Sequence, residues 1–115
     1  MRTKTLALVC IFLSLATLVA TAAPFKTAEF LALVPNEGRL IPATVCLPEG
    51  APGQTFPAVV MLHGTGSQRD EAGNGYKLLA PYLAERGIAS IRLDFAGSGD
   101  SKADYVEYTW TSGAS

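Results

Sequence analysis

At 115 residues the chain has room for one domain at most, and 49% apolar against 17% charged residues is a globular balance that excludes an intrinsically disordered chain. A formal net charge of −1 supplies no pull toward nucleic acid or an anionic surface. Two cysteines and one histidine are too few ligands for a structural zinc site, and no other metal or cofactor is called for.

The first element reads as a leader. Arg2 and Lys4 give a positive start, Leu6 to Ala20 runs for 15 residues without a charge, and the small residues Ala20, Thr21, Ala22 and Ala23 follow. This is the three-part plan of a secretory signal, and its core is short for a membrane span, which needs about 20 apolar residues. Cleavage is expected after Ala22, because a cut one residue later would leave Pro24 beside the scissile bond. Cys10 follows bulky Val9 inside the core and does not read as a lipid-attachment site. The division is therefore a signal peptide over 1–22 and a partial domain over 23–115, exported to a periplasm or medium, with no membrane association after cleavage. Processing removes Arg2 and Lys4, so 7 of 9 basic residues remain against 10 acidic ones, a net charge near −3. It also leaves Cys46 as the one cysteine, which rules out an intrachain disulfide.

Phe30 to Val34 is a short apolar run and predicts a strand. Pro35-Asn36-Glu37-Gly38 is turn chemistry. Leu40 to Leu47 predicts the returning strand, with Pro42 inside it requiring an edge position or a bulge, since proline cannot donate to a ladder. Pro48 to Pro57 is a loop. Ala58 to Leu62 is apolar throughout, as in a parallel strand buried on both faces. His63 to Gly75, with four glycines, is a long loop. Leu78, Leu79, Tyr82 and Leu83 recur at helical spacing, Gly87 marks the stop, and Pro81 is expected in or near the first turn, where its missing N–H costs little. Ile88 to Leu93 predicts a further strand ending at Asp94, and Ala96 to Ser101 a second glycine turn. Lys102 to Ser115 has no clear period. The fold class is α/β: a β-hairpin followed by a β-α-β unit.

The chemistry concentrates after the buried strand, in Leu62-His63-Gly64-Thr65-Gly66-Ser67. Glycines there let the backbone turn sharply at the strand's C-terminal end, where α/β sheets place ligands. Free N–H groups in such a turn can hold an oxyanion, which needs preset donors more than any one side chain.

Residues 57–101, from Pro57-Ala58-Val59-Val60-Met61-Leu62-His63-Gly64 to Asp94-Phe95-Ala96-Gly97-Ser98-Gly99-Asp100-Ser101, resemble the start of an α/β-hydrolase of the serine aminopeptidase, esterase and lipase type. Tyr82-Leu83-Ala84-Glu85-Arg86-Gly87-Ile88 is similar to that family's first helix leading into its fourth strand. The resemblance covers about two fifths of the chain and implies the N-terminal part of an α/β-hydrolase fold with an incomplete sheet. It also implies that the N–H of Thr65, and next that of Gly66, serve as oxyanion donors. His63, Gly64 and Ser67 would complete the loop, His63 shaping it without acting as base. Asp94, Gly97, Gly99 and Ser101 would form a structural turn, lacking one ion pair because Ala96 stands where the family more often has arginine. The implied substrate of a full-length parent is a small-molecule ester or a peptide, cleaved through an acyl-enzyme. Nothing here distinguishes esterase, lipase, thioesterase and aminopeptidase.

The nucleophile is missing. An elbow needs Gly-x-Ser-x-Gly between a strand and a helix. Ser67 is followed by Gln68 and Arg69, Ser98 and Ser101 lie in the glycine turn, and Ser112 and Ser115 have the wrong neighbours. With His63 committed to the loop, no Ser-His-acid triad is expected from these residues, so the chain is read as an inactive N-terminal fragment. The alternative is a non-catalytic remnant or interaction module. A dinucleotide-binding β-α-β unit fits worse, because Arg69 stands at the third glycine and Asp94 lies 30 positions after Gly64, beyond the usual spacing of about 20. Asp70-Glu71 is expected to be a solvated charged loop, Cys46 a small core residue, and Tyr105, Tyr108 and Trp110 packing residues. In the family's sheet order Ala58 to Leu62 would be left as an exposed edge, and one helix cannot cover both faces of a sheet, so residues 23–115 are expected to be marginally folded or sticky.

Overall fold

The computed structural model describes residues 21–101; the bulk of the leader and Tyr105, Tyr108 and Trp110 lie outside them. Among the described residues four strands form one sheet in the order β1-β2-β4-β3. They are β1 (Lys26–Asn36), β2 (Arg39–Glu49), β3 (Ala58–Leu62) and β4 (Ala89–Leu93). A 3-10 turn (Ala72–Asn74) leads into one helix, α1 (Gly75–Ala84). β1 and β2 are an antiparallel hairpin, β2 also pairs antiparallel with β4, and β3 runs parallel to β4. A hairpin followed by a β-α-β unit is the expected order, and the sheet is incomplete.

The hairpin is longer than its apolar runs. Pro35 and Asn36 pair with Leu40 and Arg39, so the turn contracts to Glu37 and Gly38, at φ 45° and 78°. Positive φ at both central residues is the two-residue geometry whose twist matches the strands it joins. Pro42 is in neither an edge strand nor a bulge, because β2 is central and its register with β1 is unbroken. The ladder to β4 begins at Ala43, and just past its end the Asp94 N–H donates to the Pro42 carbonyl at 3.0 Å. Proline's missing N–H therefore falls on the side where β4 has already ended.

The helix also departs from expectation. Its core face is Ala80 and Ala84, which pack with Tyr76 and Leu83 on Cys46 of β2 and Met61 of β3, while Leu78, Leu79 and Tyr82 are exposed. Small residues permit close approach to a sheet face that carries Arg92 and Thr44 beside Met61. Pro81 lies inside the helix, not in its first turn, because the helix begins six residues earlier, at Gly75. Gly87 ends it at φ 80°, with the N–H of Ile88 on the Leu83 carbonyl and that of Gly87 on Ala84.

β3 is not buried on both faces: Met61 alone is buried, while Val60 is 62% and Leu62 52% exposed. β3 lies at the sheet edge and α1 covers the opposite face, so among the described residues nothing replaces the missing layer. On the covered face Arg92 is 3% exposed, and its charge is met by Glu29 through two bonds at 3.1 and 3.3 Å and by Asp70 at 2.8 Å.

Candidate functional site

The parallel pair β3–β4 delivers two loops to the same end of the sheet. The first leaves β3 at His63. The Ser67 N–H donates to the Gly64 carbonyl at 3.1 Å, and Gly66 sits at φ 76°. That closes a four-residue type II turn whose third position requires glycine-like φ. The second loop leaves β4 at Asp94. It closes through the N–H of Ser98 on the Phe95 carbonyl, that of Ser101 on Ser98 and that of Gly97 on Ser101.

His63 is buried and joins the two loops. Its Nε2 accepts the Phe95 N–H at 3.1 Å, so the ring proton belongs on Nδ1, which donates to the Gly64 carbonyl at 2.8 Å. The ring also lies against Phe95, with centroids 4.5 Å apart. The Gly64 carbonyl is thus drawn inward by two donors. A trans planar peptide sends N–H and C=O to opposite sides, so the Thr65 N–H points away from the turn, toward solvent. Among the described residues neither the Thr65 nor the Gly66 N–H has a hydrogen-bond acceptor. The two differ, however. The peptide carrying the Thr65 N–H is held at its carbonyl, whereas the Gly66 N–H belongs to the central peptide of the turn, which nothing anchors.

Asp70 and Glu71 are not a solvated pair. Asp70 binds buried Arg92. The Glu71 carboxylate accepts the Gly64 N–H at 2.7 Å and the Ala72 N–H at 3.0 Å. These donors, Ala72 first and Gly64 second, with the Ser67 hydroxyl after them, hold its carboxyl below the ordinary glutamate range.

Ala96 brings no charge to the turn at Asp94, and the ion pairs there come from outside it, through Arg69 of the other loop. Asp94 is fully buried and accepts from the Arg69 guanidinium, the Arg69 main-chain N–H at 2.7 Å and the Asp100 N–H at 2.9 Å. The same guanidinium reaches Asp100 at 2.7 Å and the Thr44 hydroxyl at 3.1 Å. Gly99 is required here twice over: its φ is 53°, and a Cβ would stand 2.4 Å from the Asp94 carboxyl. Ser101 closes the turn through its main chain. The residues that sequence reasoning passed over are Arg69 and Glu71. Both precede the helix in a polar loop, and neither has a neighbour in sequence that signals its partner. No group of three or more His, Cys, Asp and Glu among the described residues could hold a metal ion.

The chain superposes on a solved protein from Klebsiella pneumoniae assigned as a dienelactone hydrolase, with a TM-score of 0.51 at 18% identity, over 70% of this chain and 33% of that one. The chain carries part of the α/β-hydrolase fold. A cold-adapted esterase from an Arctic intertidal metagenomic library aligns at 22% identity and a TM-score of 0.44, over 82% of this chain and 39% of the esterase. The chain therefore spans between a third and two fifths of the length of these two hydrolase-fold proteins. No family model and no curated protein matches it. Within the hydrolase fold, the turn after β3 and the turn after β4 stand at the C-terminal edge of the parallel strands.

Proposed function

We propose that this segment supplies one half of the oxyanion hole of an exported hydrolase that cleaves an ester or amide bond through an acyl-enzyme. The observation that carries the reading is the outward Thr65 N–H on an anchored peptide, at the C-terminal end of a parallel strand. An oxyanion hole must present its donors before charge develops, so an N–H whose direction is already held is the arrangement the chemistry needs. The substrate would be a small-molecule ester or a peptide. The nucleophile, acid and base of the complete enzyme would come from residues other than those seen here. Export rests on the leader, with cleavage between Ala22 and Ala23, which are exposed and outside any strand or helix.

The test has two arms. The first is the coding sequence beyond codon 115. A Gly-x-Ser-x-Gly elbow there, on a product labelled by a fluorophosphonate at that serine, supports the reading; a complete gene without an elbow leaves the non-catalytic alternative. The second is the 115-residue chain with a fluorophosphonate and a nitrophenyl ester. No labelling and no turnover are expected, and stoichiometric labelling at Ser67 would contradict the assignment of roles.

A further inference from the structure

We infer that Glu71 is a positioning residue for the oxyanion turn: its carboxylate holds the His63–Gly64 peptide so that the next one presents the Thr65 N–H. The inference rests on the oxyanion reading for its purpose, while its structural content stands on geometry alone.

Two consecutive peptides lead into Thr65. The second, Gly64–Thr65, is held at its carbonyl by His63 Nδ1 and the Ser67 N–H. The first, His63–Gly64, is held at its N–H by Glu71 at 2.7 Å. Gly64 has no side chain to restrict it, and glycine samples more backbone conformations than any other residue. Without an acceptor on its N–H, the one rotatable junction between two otherwise held groups would be free. Glu71 supplies that acceptor from seven positions downstream, and a charged acceptor makes a stronger bond than a carbonyl.

The backbone of Glu71 shows that the contact is maintained against a local cost. Its φ of 62° and ψ of 173° lie in a region that belongs almost entirely to glycine. A glycine there would relieve the strain and give the chain the same course toward the 3-10 turn. What glycine could not provide is the carboxylate, which spans from Ala72 back to Gly64. Capping Ala72 alone would need no reach back to Gly64.

The test uses the isotopically labelled 115-residue chain and reads amide hydrogen exchange and chemical shifts at Gly64, Thr65 and Ala72. In the wild type the Gly64 amide proton is expected far downfield and titrates with one carboxyl. Glu71→Gln, which keeps a carbonyl acceptor, should abolish that titration while retaining most of the protection. Glu71→Ala should lose about ten- to a hundredfold of the Gly64 protection, the range for a hydrogen bond to a charged group, and shift the Thr65 resonance. Changes confined to Ala72 would overturn the proposal and leave Glu71 as a turn cap. Should Glu71→Ala fail to fold, the Gln variant decides: a Gly64 titration that persists in it is equally fatal. These outcomes do not depend on catalysis. A complete gene without an elbow would defeat the oxyanion reading and leave the positioning of Gly64 intact.

Discussion

His63 accepts the main-chain N–H of Phe95 across 32 positions of sequence, and with its other nitrogen it donates to the Gly64 carbonyl beside it. One neutral imidazole therefore sets the spacing of the two loops at the C-terminal edge of β3 and β4. Replacing it with alanine leaves the Phe95 N–H and one Gly64 lone pair unmet in a partly buried setting. His63→Ala is expected to cost about 1–3 kcal/mol, read as a lower urea midpoint with an unchanged slope.

The second loop depends on close approach as much as on charge. Gly99 passes so near Asp94 that a methyl group would overlap its carboxyl, at a φ that disfavours any side chain. Gly99→Ala should destabilise the chain by about 1–3 kcal/mol through overpacking alone. Asp94→Ala should cost more, about 3–5 kcal/mol, because it takes the buried partner from the Arg69 guanidinium, leaving it Asp100 and Thr44, and leaves the Arg69 and Asp100 main-chain N–H groups without their acceptor. Thermal unfolding followed by circular dichroism would rank the two.

Cys46 offers a pH-dependent readout of the core. Burial beneath α1 first, and then the Glu29 carboxylate, raise its thiol above the ordinary value, against a smaller opposing effect of Arg92. A raised thiol means that the folded chain keeps its proton longer than the unfolded one. The associated stability is complete below the unfolded thiol's range, about pH 8.5, and is lost as pH rises through the folded value. At pH 8 a disulfide reagent should leave Cys46 of the folded chain unlabelled and react with it fully in urea. Rapid labelling without denaturant would show that α1 does not close over Cys46.

Much of this architecture was legible before any coordinates. The strand Ala58 to Leu62 has the bounds expected from its apolar run, and both glycine turns lie where the backbone needs them. The buried face of the helix was not legible, because hydropathy ranks Leu78 and Leu79 above Ala80 and Ala84, whereas packing on this sheet rewards small size. Arg69 and Glu71 were invisible for a different reason. Arg69 meets Asp94 25 positions away, and Glu71 reaches back to a main-chain N–H that carries no side-chain signal. The Arg69 contact exists only after β3 and β4 pair and bring their loops together, whereas the Glu71 contact forms when the loop after β3 folds back on itself.

The same pairing leaves β3 as an edge strand with Val60 and Leu62 turned outward on the face away from α1. An apolar edge of this kind recruits other strands, and a charge on it is the usual remedy. The 115-residue chain is expected to self-associate at micromolar concentration, and Val60→Lys to shift it toward monomer without loss of strand signal. Light scattering after size exclusion distinguishes the two. A wild-type chain that stays monomeric and unfolds cooperatively would show that the exposed face is tolerated.

The sharpest prediction concerns the donor itself. Thr65 occupies the second position of a type II turn, where proline's fixed φ is favoured. Thr65→Pro therefore removes one N–H and leaves the Ser67-to-Gly64 closure of the turn in place. Because that N–H has no partner within the described residues, its loss should cost no stability, and restriction of the unfolded chain should add about 0.4–1 kcal/mol. Under the proposed oxyanion role, the same change in an active longer product should lower kcat by about 10²–10³-fold with little effect on KM, the signature of a bond made only in the transition state. Gly66→Ala would behave differently, losing stability first because its φ of 76° is unfavourable to any side chain. A Thr65→Pro enzyme of full activity would move the oxyanion donor to Gly66 or away from this turn altogether.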